Sequence, residues 1–263
     1  MNFDKLLKMA INAAIKGSHA IMEVYYSDFE VDYKEDKSPL TLADKKCHQI
    51  IERLLFKTGI PILSEEGESI PFSERKNWEY FWLVDPLDGT KEFIKRNGEF
   101  TVNIAMIHKG IPIMGVIYAP VRQELYFAME PYGSFKVNRS LQINSLDDLI
   151  TESDKLPIDY KRNDYVIVGS RSHMSVETEK FIEDKKKKHK KVKMLIVGSS
   201  LKFCIIAEGK ADAYPRYALT MEWDTGAGHA IAKMAGFSTL QYATKEELVY
   251  NKQDLLNPWF LVN

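Results

Sequence analysis

The chain has 263 residues, of which 45% are hydrophobic and 28% charged, and its formal net charge is −1 at pH 7. These proportions are typical of a globular protein with ample material for a core, and the near-zero charge excludes a general attraction to nucleic acid or anionic membranes. Any specificity for an anion must therefore be local. The two cysteines, Cys47 and Cys204, lie in apolar helical patterns, which indicates a reducing compartment and no disulfide framework.

No targeting signal is recognisable in the sequence. Residues 1–5 include charges and lack the apolar segment of a signal peptide. No apolar run approaches the roughly 20 residues that span a bilayer. We therefore expect a cytoplasmic protein with no transmembrane segment and no nucleic-acid partner.

The first half of the chain is predicted to form two helices and an antiparallel sheet. Apolar periodicity predicts amphipathic helices over residues 3–26 and 41–57. Runs rich in β-formers predict strands at residues 61–64, 80–84, 100–107, 113–119, 124–129 and 134–137. The turn at residues 108–110 is typical of a hairpin, and consecutive hairpins imply an antiparallel sheet with both helices on one face. We assign residues 1–140 to this N-terminal α+β lobe.

The second half changes to an alternation of strands and helices, which is typical of an α/β lobe. Residues 138–163 are polar and weakly patterned, and we interpret them as the bridge to a C-terminal lobe of residues 141–263. The predicted strands are 165–168, 192–197 and 211–214, and the predicted helices are 175–183, 200–208 and 224–235. The lysine-rich run 185–191 follows a helix and lacks interleaved aromatic residues, so we interpret it as a solvated turn.

The stretch from residue 81 to residue 90 is the strongest candidate for a functional site. Its first four residues are apolar or aromatic and predict a buried strand, which Pro86 is expected to break before a short helix begins at Gly89. Asp85 and Asp88 follow that strand. Carboxylates at the end of a buried strand need a positive partner. A divalent metal, with a phosphate beside it at the helix N-terminus, would supply one.

Other interpretations of the two aspartates compete with a metal site. Asp88 can serve only to cap the following helix. A calcium-binding loop requires Glu at its twelfth position, where this chain has Arg96. A haloacid-dehalogenase-type phosphatase requires a single residue between its aspartates, whereas two residues separate Asp85 from Asp88.

Three further acidic residues are candidates for the same site as these aspartates. Glu65 follows another predicted strand, and it is either part of a solvated acidic turn or a carboxylate of the same site. Asp44 forms a capping box with Thr41 and can also accept a hydrogen bond from a hydroxyl such as that of Thr90. Asp224 precedes a helix rich in small residues, so it either caps that helix or supplies a metal ligand from the second lobe.

The order of the motifs along the chain is specific to one group of enzymes. The first set is Ser64-Glu65-Glu66, Trp82-Leu83-Val84-Asp85-Pro86-Leu87-Asp88-Gly89-Thr90-Lys91-Glu92-Phe93 and Glu222-Trp223-Asp224. The second set is Gly198-Ser199-Ser200-Leu201-Lys202-Phe203-Cys204, Ala207-Glu208-Gly209, Tyr214-Pro215-Arg216 and Leu256-Asn257-Pro258-Trp259-Phe260. With the first set the chain resembles the lithium-sensitive, magnesium-dependent phosphomonoesterases of the inositol monophosphatase superfamily. With the second it resembles their bacterial branch that acts on 3'(2'),5'-bisphosphate nucleotides in sulfur metabolism.

The resemblance runs from about Ser38 to the C-terminus and implies a layered αβαβα sandwich, the two-lobed sugar-phosphatase fold. Two departures from the pattern are small. Leu219 stands where relatives often have proline, and Gly226 where they have alanine. Neither removes an implied ligand, although both can loosen the loop that delivers Asp224.

The resemblance also implies a role for each site residue, with two or three Mg²⁺ ions per site. The implied ligands are Glu65, Asp85 and the Leu87 carbonyl for one ion, and Asp85, Asp88 and Asp224 for a second. The implied catalytic residues are Asp44, Glu65 and Thr90, with Asp44 orienting Thr90 toward the attacking water. The implied substrate contacts are Glu65, Leu87, Asp88, Gly89, Thr90, Ser170, His173, Ser199, Lys202, Arg216 and Asp224. Among these, the backbone N–H groups of Gly89 and Thr90 hold the scissile phosphate.

The implied activity is removal of the 3'-phosphate of adenosine 3',5'-bisphosphate, or of its sulfated form, by direct attack of water without a phosphoenzyme. One alternative is another phosphatase of the superfamily, acting on inositol phosphate or a sugar bisphosphate. A second is a catalytically silent module that binds metal and nucleotide. The resemblance leaves open whether the protein is a monomer or a homodimer and whether it attaches peripherally to the inner membrane.

Overall fold

The computed structural model describes residues 1–28, 31–33, 39–138, 145–170 and 175–263. The helices are α1 (Phe3–Tyr25), α2 (Leu42–Leu55), α3 (Phe72–Arg75), α4 (Thr90–Ile94), α5 (Leu146–Thr151), α6 (Val176–Lys188), α7 (Leu201–Ala207) and α8 (Glu222–Met234). The strands are β1 (Val31–Tyr33), β2 (Pro39–Thr41), β3 (Ile62–Ser64), β4 (Tyr80–Asp88), β5 (Thr101–His108), β6 (Ile111–Ala119), β7 (Glu124–Met129), β8 (Gly133–Asn138), β9 (Asp154–Lys155), β10 (Tyr165–Gly169), β11 (Val192–Ile196), β12 (Tyr214–Arg216), β13 (Thr239–Gln241) and β14 (Phe260–Val262).

The largest sheet has seven strands in the order β3-β4-β5-β6-β7-β8-β9. The β3–β4 pair is parallel and the other pairs are antiparallel. The predicted hairpin between β5 and β6 is confirmed: Lys109 and Gly110, its two turn residues, both have positive φ, at 49° and 80°. Two consecutive positive φ angles match the twist of the flanking strands. The predicted antiparallel sheet is therefore present.

Strand β4 does not end at Pro86, as the sequence suggested, but continues to Asp88 through a bulge. Asp85 pairs with Asn103 and Asp88 with Thr101, so three steps along β4 match two along β5. A bulge tolerates proline because its extra residue needs no ladder hydrogen bond. In a regular strand, residues three apart point to opposite faces. The extra residue instead allows both aspartates to line one cleft.

The layers follow from the alternation of side chains in the seven-stranded sheet. Trp82 and Leu83 are neighbours on β4 and point to opposite faces, into two separate apolar cores. Helices α1 and α2 cover the first core, and α7 and α8 cover the second. Beyond α7 and α8 lie the two small sheets, β10–β11 and β12–β14–β13, with α6 packed on the far side. The predicted αβαβα sandwich is thus confirmed.

Helix α8 lies directly on strands β4, β5 and β6 because its contact face consists of small residues. A Cβ atom added to Gly228 would lie 2.4 Å from Cγ of Phe203, and one added to Gly115 of β6 would lie 2.4 Å from the carbonyl oxygen of Ala227. The helix backbone at Ala227 therefore lies directly against β6. This close approach brings Asp224, in the first turn of α8, to the end of β4.

Buried hydrogen bonds of Glu222 and Arg75 with the loop at residues 251–253 fix the start of α8. The Glu222 carboxylate, fully buried, accepts hydrogen bonds from the backbone N–H groups of Asn251 and Lys252. The Arg75 guanidinium donates to the Asn251 side chain at 2.7 Å and to the carbonyls of Lys252 and Gln253. The carboxylate of Glu222 and the guanidinium of Arg75 are buried, and both have hydrogen-bond partners. These bonds hold the loop at residues 251–253 against the first turn of the helix.

Two segments differ from the sequence interpretation. The presumed bridge, residues 138–163, contains α5 and β9, and β9 completes the large sheet by backbone pairing with β8. The division into lobes at residue 140 stays a prediction. The presumed lysine turn is wrong in its first half, because α6 continues to Lys188. Lysine is a good helix former and suits the negative helix end, and Lys186 and Lys187 pair with Glu183 and Asp184.

The predicted strand at 211–214 is displaced. Strand β12 covers Tyr214–Arg216, and Ala213 makes only a single parallel bridge, to Ile167. The position of β12 is set by its pairing with β14, which lies more than forty residues away in the sequence. The local pattern carried no information about that partner.

Candidate active site

Three carboxylates from distant parts of the chain meet in one cleft. Glu65 follows β3, Asp85 lies in the bulge of β4, and Asp224 lies in the first turn of α8. One carboxylate oxygen from each residue lies within 4.8 Å of the other two. The surrounding cavity has a volume of about 500 Å³, and Asp88 also lines it. We call the site formed by Glu65, Asp85, Asp88 and Asp224 the acidic cleft.

The acidic cleft concentrates negative charge around one buried carboxylate. Asp85 is 1% exposed, and burial, followed by the nearby charges of Glu65, Asp88 and Asp224, raises its pKa well above the usual range. Burial and then the charge of Asp88 raise the pKa of Asp224 in the same way. Buried like charges are unfavourable unless a cation compensates them. An all-oxygen set of this kind fits a hard divalent cation, so the cleft can bind a metal ion.

Asp88 is held from the second half of the chain. Its Oδ2 atom accepts hydrogen bonds from the Ser200 backbone N–H and hydroxyl, both at 2.6 Å, and from the Asn103 amide at 3.3 Å. The Thr101 hydroxyl donates to Asn103 Oδ1 at 2.9 Å and so fixes the amide orientation. Asp88 does not cap the following helix, since the N-cap of α4 is Gly89, without a side-chain cap. The capping alternative for Asp88 is wrong.

Thr90 of α4 lines the acidic cleft, and Asp44 of α2 contacts Thr90. Asp44 Oδ2 accepts from the Thr41 backbone and hydroxyl at 2.8 and 2.6 Å, which completes the capping box. Its other oxygen, Oδ1, accepts from the Thr90 hydroxyl at 3.3 Å, and the Leu87 carbonyl is a second acceptor at 3.4 Å. Burial raises the pKa of Asp44. The two interpretations of this carboxylate are compatible because they use different oxygens.

Asp224 also serves its own helix. Its Oδ2 atom accepts a hydrogen bond from the Met221 backbone N–H at 2.8 Å. Gly226, one of the two departures from the pattern of relatives, packs against Leu83 of β4. Leu219, the other, is 69% exposed and its carbonyl accepts a hydrogen bond from Arg216. The loop before α8 is thus tied down on both sides of Asp224.

A second cavity, of about 130 Å³, adjoins the acidic cleft and shares Asp88 and Asp224 with it. We call it the cationic pocket, defined by Ser170, Ser199, Lys202, Tyr214 and Arg216. The Lys202 ammonium is buried and donates to the Ser199 carbonyl at 2.6 Å. Burial lowers the pKa of Lys202 to about 8. Within the described part of the chain, Nε of Arg216 is buried and has no hydrogen-bond partner.

Most of the residues predicted for the site thus lie around these two adjoining cavities. Gly89 lines both of them, and Thr90 lines the acidic cleft together with Leu87. Asp44 lines neither cavity but accepts a hydrogen bond from Thr90, and His173 lies outside the described residues. Sequence reasoning missed Ser200 and Asn103, which anchor Asp88. Asn103 carried a signal, because a buried amide in a largely apolar strand needs a hydrogen-bond partner, but the identity of that partner did not follow from the pattern.

Comparison with known proteins agrees with this geometry. Residues 2–259 match the model of the inositol monophosphatase family. The chain belongs to the inositol monophosphatase family. A phosphatase function follows from this membership, and metal dependence is typical of the family. Within the described residues, no helix is long and apolar enough to cross a membrane.

Individual relatives in the family cover nearly the whole chain. It is 40% identical to a protein of Salmonella typhimurium named 3'(2'),5'-bisphosphate nucleotidase CysQ, over 98% of this chain and 99% of that one. The crystal structure of CysQ from Bacteroides thetaiotaomicron is 49% identical and superposes with a TM-score of 0.92, covering 99% and 97% of the two chains. An inositol monophosphatase of Thermotoga maritima shares the fold, with a TM-score of 0.74 at 23% identity and coverage of 98% and 91%. The predicted resemblance is confirmed.

Proposed function

We propose that this chain is a Mg²⁺-dependent phosphomonoesterase that converts adenosine 3',5'-bisphosphate to AMP and phosphate. One observation carries the choice of substrate: a cationic pocket borders the acidic cleft, so a molecule with two phosphates can place one in each. Lys202 and Arg216 supply the charge that a retained phosphate needs. The names of relatives that match over the whole chain support the same substrate.

The acidic cleft supplies oxygen ligands of the kind that Mg²⁺ prefers, and it leaves room for water and for phosphate oxygens. Glu65, Asp85 and the Leu87 carbonyl are the proposed ligands of one ion, and Asp85, Asp88 and Asp224 those of a second. When bound, Mg²⁺ lowers the pKa of a water molecule and stabilises the charge of the displacement. We propose two or three ions per site.

The residues of the chain itself orient the reactants. The Thr90 hydroxyl donates its proton to a hydrogen bond with Asp44. The lone pairs of the Thr90 oxygen are therefore free to accept a hydrogen bond from the attacking water. The backbone N–H groups of Gly89 and Thr90 are proposed to hold the scissile phosphate. Water attacks phosphorus and the bond from phosphorus to O3' breaks. The attacking water gives up one proton and O3' takes up one, so the products are the nucleoside hydroxyl and inorganic phosphate. No side chain forms a covalent intermediate.

The retained 5'-phosphate is proposed to lie in the cationic pocket, against Ser170, Ser199, Lys202 and Arg216, with His173 as a further predicted contact. The unpartnered Nε of Arg216 is a donor that such a phosphate would satisfy. An inositol phosphate carries only one phosphate, so it would leave the pocket's positive charge unused. Sugar bisphosphates remain competing substrates, and the test below includes one.

The decisive experiment measures phosphate release from adenosine 3',5'-bisphosphate, its sulfated form, inositol phosphate and fructose bisphosphate, each with Mg²⁺ and with EDTA. We expect the bisphosphate nucleotides to be preferred and EDTA to abolish release. Replacing Lys202→Met together with Arg216→Gln should raise KM for the bisphosphate nucleotide by about 100-fold or more, because each charged hydrogen bond contributes about 1.5–3 kcal/mol. KM for inositol phosphate should change little.

Lys193→Met is the matched control, since Lys193 is an exposed lysine paired with Asp164 and lines neither cavity. Faster turnover of inositol phosphate or fructose bisphosphate by the unmodified chain would reject the proposed substrate. Absence of phosphate release from every substrate would favour the silent binding module instead.

A further inference from the structure

Ser200 is the physical link between the acidic cleft and the cationic pocket. It is 3% exposed, and its backbone N–H and hydroxyl both reach Asp88 Oδ2 at 2.6 Å. The same hydroxyl lies 2.8 Å from the Asp224 backbone carbonyl and accepts a hydrogen bond from Asn103 at 3.0 Å. One side chain therefore connects two of the proposed metal ligands, one of them from each half of the chain.

The turn that carries Ser200 also forms a wall of the cationic pocket. This turn consists of Gly198, Ser199 and Ser200, and we call it the 198–200 turn. The Ser199 carbonyl accepts from the Lys202 ammonium at 2.6 Å, while the Gly198 N–H donates to the Glu99 carboxylate at 2.9 Å. Lys202 thus contacts one side of the turn and Asp88 contacts the other.

The backbone of the 198–200 turn adopts a conformation that needs external support. Ser199 has φ = 48°, in the left-handed region that residues other than glycine, asparagine and aspartate rarely occupy. Its neighbours hold it there through the contacts of Gly198, Lys202 and Ser200. An anion bound by the Ser199 hydroxyl and Lys202 would add contacts to this same turn, so its occupancy would alter how firmly Ser200 is held.

We propose that Ser200 is a positioning residue that couples binding of the non-reacting phosphate to assembly of the metal site. A phosphate in the cationic pocket fixes the 198–200 turn, and Ser200 then holds Asp88 Oδ2 in place for the cation. This inference rests on the proposed function, because it assigns the pocket to a phosphate and Asp88 to a metal ion. By thermodynamic linkage, bound metal must tighten phosphate binding by the same factor.

The coupling would act on substrate specificity. A bisphosphate nucleotide would complete the metal site as it binds, whereas a monophosphate at the acidic cleft would leave the 198–200 turn less firmly held. Selectivity for the second phosphate would then be expressed in kcat as well as in KM, since remote binding energy is used to order the reacting centre.

The test measures metal affinity directly. Mn²⁺ replaces Mg²⁺ as an oxygen-ligated probe, and electron paramagnetic resonance counts free Mn²⁺ in titrations of the metal-free protein, corrected for the Mn²⁺–AMP complex. Titrations are run alone, with AMP, which carries the retained 5'-phosphate, and with adenosine, which carries none. We expect AMP to tighten Mn²⁺ binding by about 5-fold or more, in the usual range of coupling between sites, and adenosine to leave it unchanged.

Three variants separate the proposed link from other causes. In Ser200→Ala, AMP at a saturating concentration should tighten Mn²⁺ binding by less than 2-fold. Lys202→Met should remove the AMP effect altogether. Ser134→Ala, a matched control at a fully buried serine on β8 whose hydroxyl has no partner among the described residues, should retain the full effect.

Several outcomes would overturn the proposal. An AMP effect that is undiminished in Ser200→Ala would mean that attraction through space between phosphate and cation is sufficient. An effect that persists in Lys202→Met would mean that AMP ligates the metal directly. Unchanged Mn²⁺ affinity with AMP, or no AMP binding, in the unmodified protein would refute the coupling outright. Failure of the proposed function is distinguishable, since it is decided separately by phosphate release from the bisphosphate nucleotide.

Discussion

Lys202 illustrates how much a single residue depends on its surroundings. Its ammonium group is buried in the cationic pocket, and burial lowers its pKa to about 8. A lysine with its ordinary pKa would stay charged at every physiological pH. This one changes its charge just above neutrality, so the affinity of the pocket for an anion should depend on pH.

We predict that kcat/KM for the bisphosphate nucleotide falls as pH rises past the lowered pKa of Lys202, because only the protonated amine attracts the retained phosphate. The profile of kcat/KM reports the free enzyme, in which no phosphate raises the pKa of Lys202. Steady-state rates from pH 6.5 to 9.5 at saturating Mg²⁺ test this. Lys202→Met should lose this descending limb, and a profile equal in both proteins would contradict the assignment.

Two other residues, Asp44 and Asp224, each cap a helix and also contribute to the candidate site. Asp44 caps α2 with one oxygen and accepts from Thr90 with the other, and Asp224 bonds the Met221 N–H while facing the acidic cleft. The sequence had offered helix capping for both residues, with a hydrogen bond from a hydroxyl such as that of Thr90 as the second interpretation of Asp44 and metal ligation as the second interpretation of Asp224. A carboxylate has two oxygens and several lone pairs, so the two roles do not compete.

At the scale of elements, helix α8 packs between the large sheet and α7. Its small residues allow the helix backbone to contact β4, β5 and β6 on one side and Phe203 of α7 on the other. The sequence predicted a helix at residues 224–235 that is rich in small residues. It did not indicate which sheet the helix covers, because small residues identify a close contact without identifying the partner.

We predict that alanine substitutions at two glycines of α8 differ in their effect on stability. In Gly228→Ala the new Cβ would lie 2.4–2.7 Å from the inner atoms of the Phe203 side chain, and overpacking should lower the free energy of unfolding by about 1–3 kcal/mol. In Gly226→Ala the nearest atom is the end of Leu83, at 2.8 Å. That methyl can move, and alanine gains about 1 kcal/mol of helix propensity, so the change should stay within about 1 kcal/mol.

Urea unfolding of the metal-free proteins, followed by circular dichroism, provides both values. Equal destabilisation by the two substitutions would show that the contact of α8 with α7 is looser than the structure indicates.

At the scale of the whole molecule, the acidic cleft reduces stability in the absence of metal. Asp85 is buried and Asp224 is partly buried, and the pKa values of both are raised because desolvation and repulsion between neighbouring carboxylates disfavour the ionised forms. Near neutral pH this repulsion opposes folding, and a bound cation relieves it. Functional sites commonly reduce stability in this way.

Asp85→Asn should therefore raise the Tm of the metal-free protein and abolish Mg²⁺-dependent phosphate release. The amide oxygen can still accept the bond that Leu87 N–H donates at 3.0 Å, so the turn should persist. In the unmodified protein, Mg²⁺ at 100 times its Kd should add about 2.7 kcal/mol of stability, or about 5–10 °C in Tm. Thermal unfolding with EDTA and with Mg²⁺ measures both effects, and an unchanged Mg²⁺ response in Asp85→Asn would show that the metal lies elsewhere.

The sequence by itself determined the features that depend on neighbouring residues: α1 and α2, the hairpins of the large sheet, and the motifs that identify the family. It did not reveal the bulge that turns Asp85 and Asp88 toward one cleft, because Pro86 locally predicts a strand end. Only the tertiary structure brought Ser200 to Asp88 across 112 positions and Asp224 to Glu65. These contacts arise because α8 packs on the sheet and the 198–200 turn meets the end of β4, and packing of this kind depends on the shapes of surfaces formed by the whole chain.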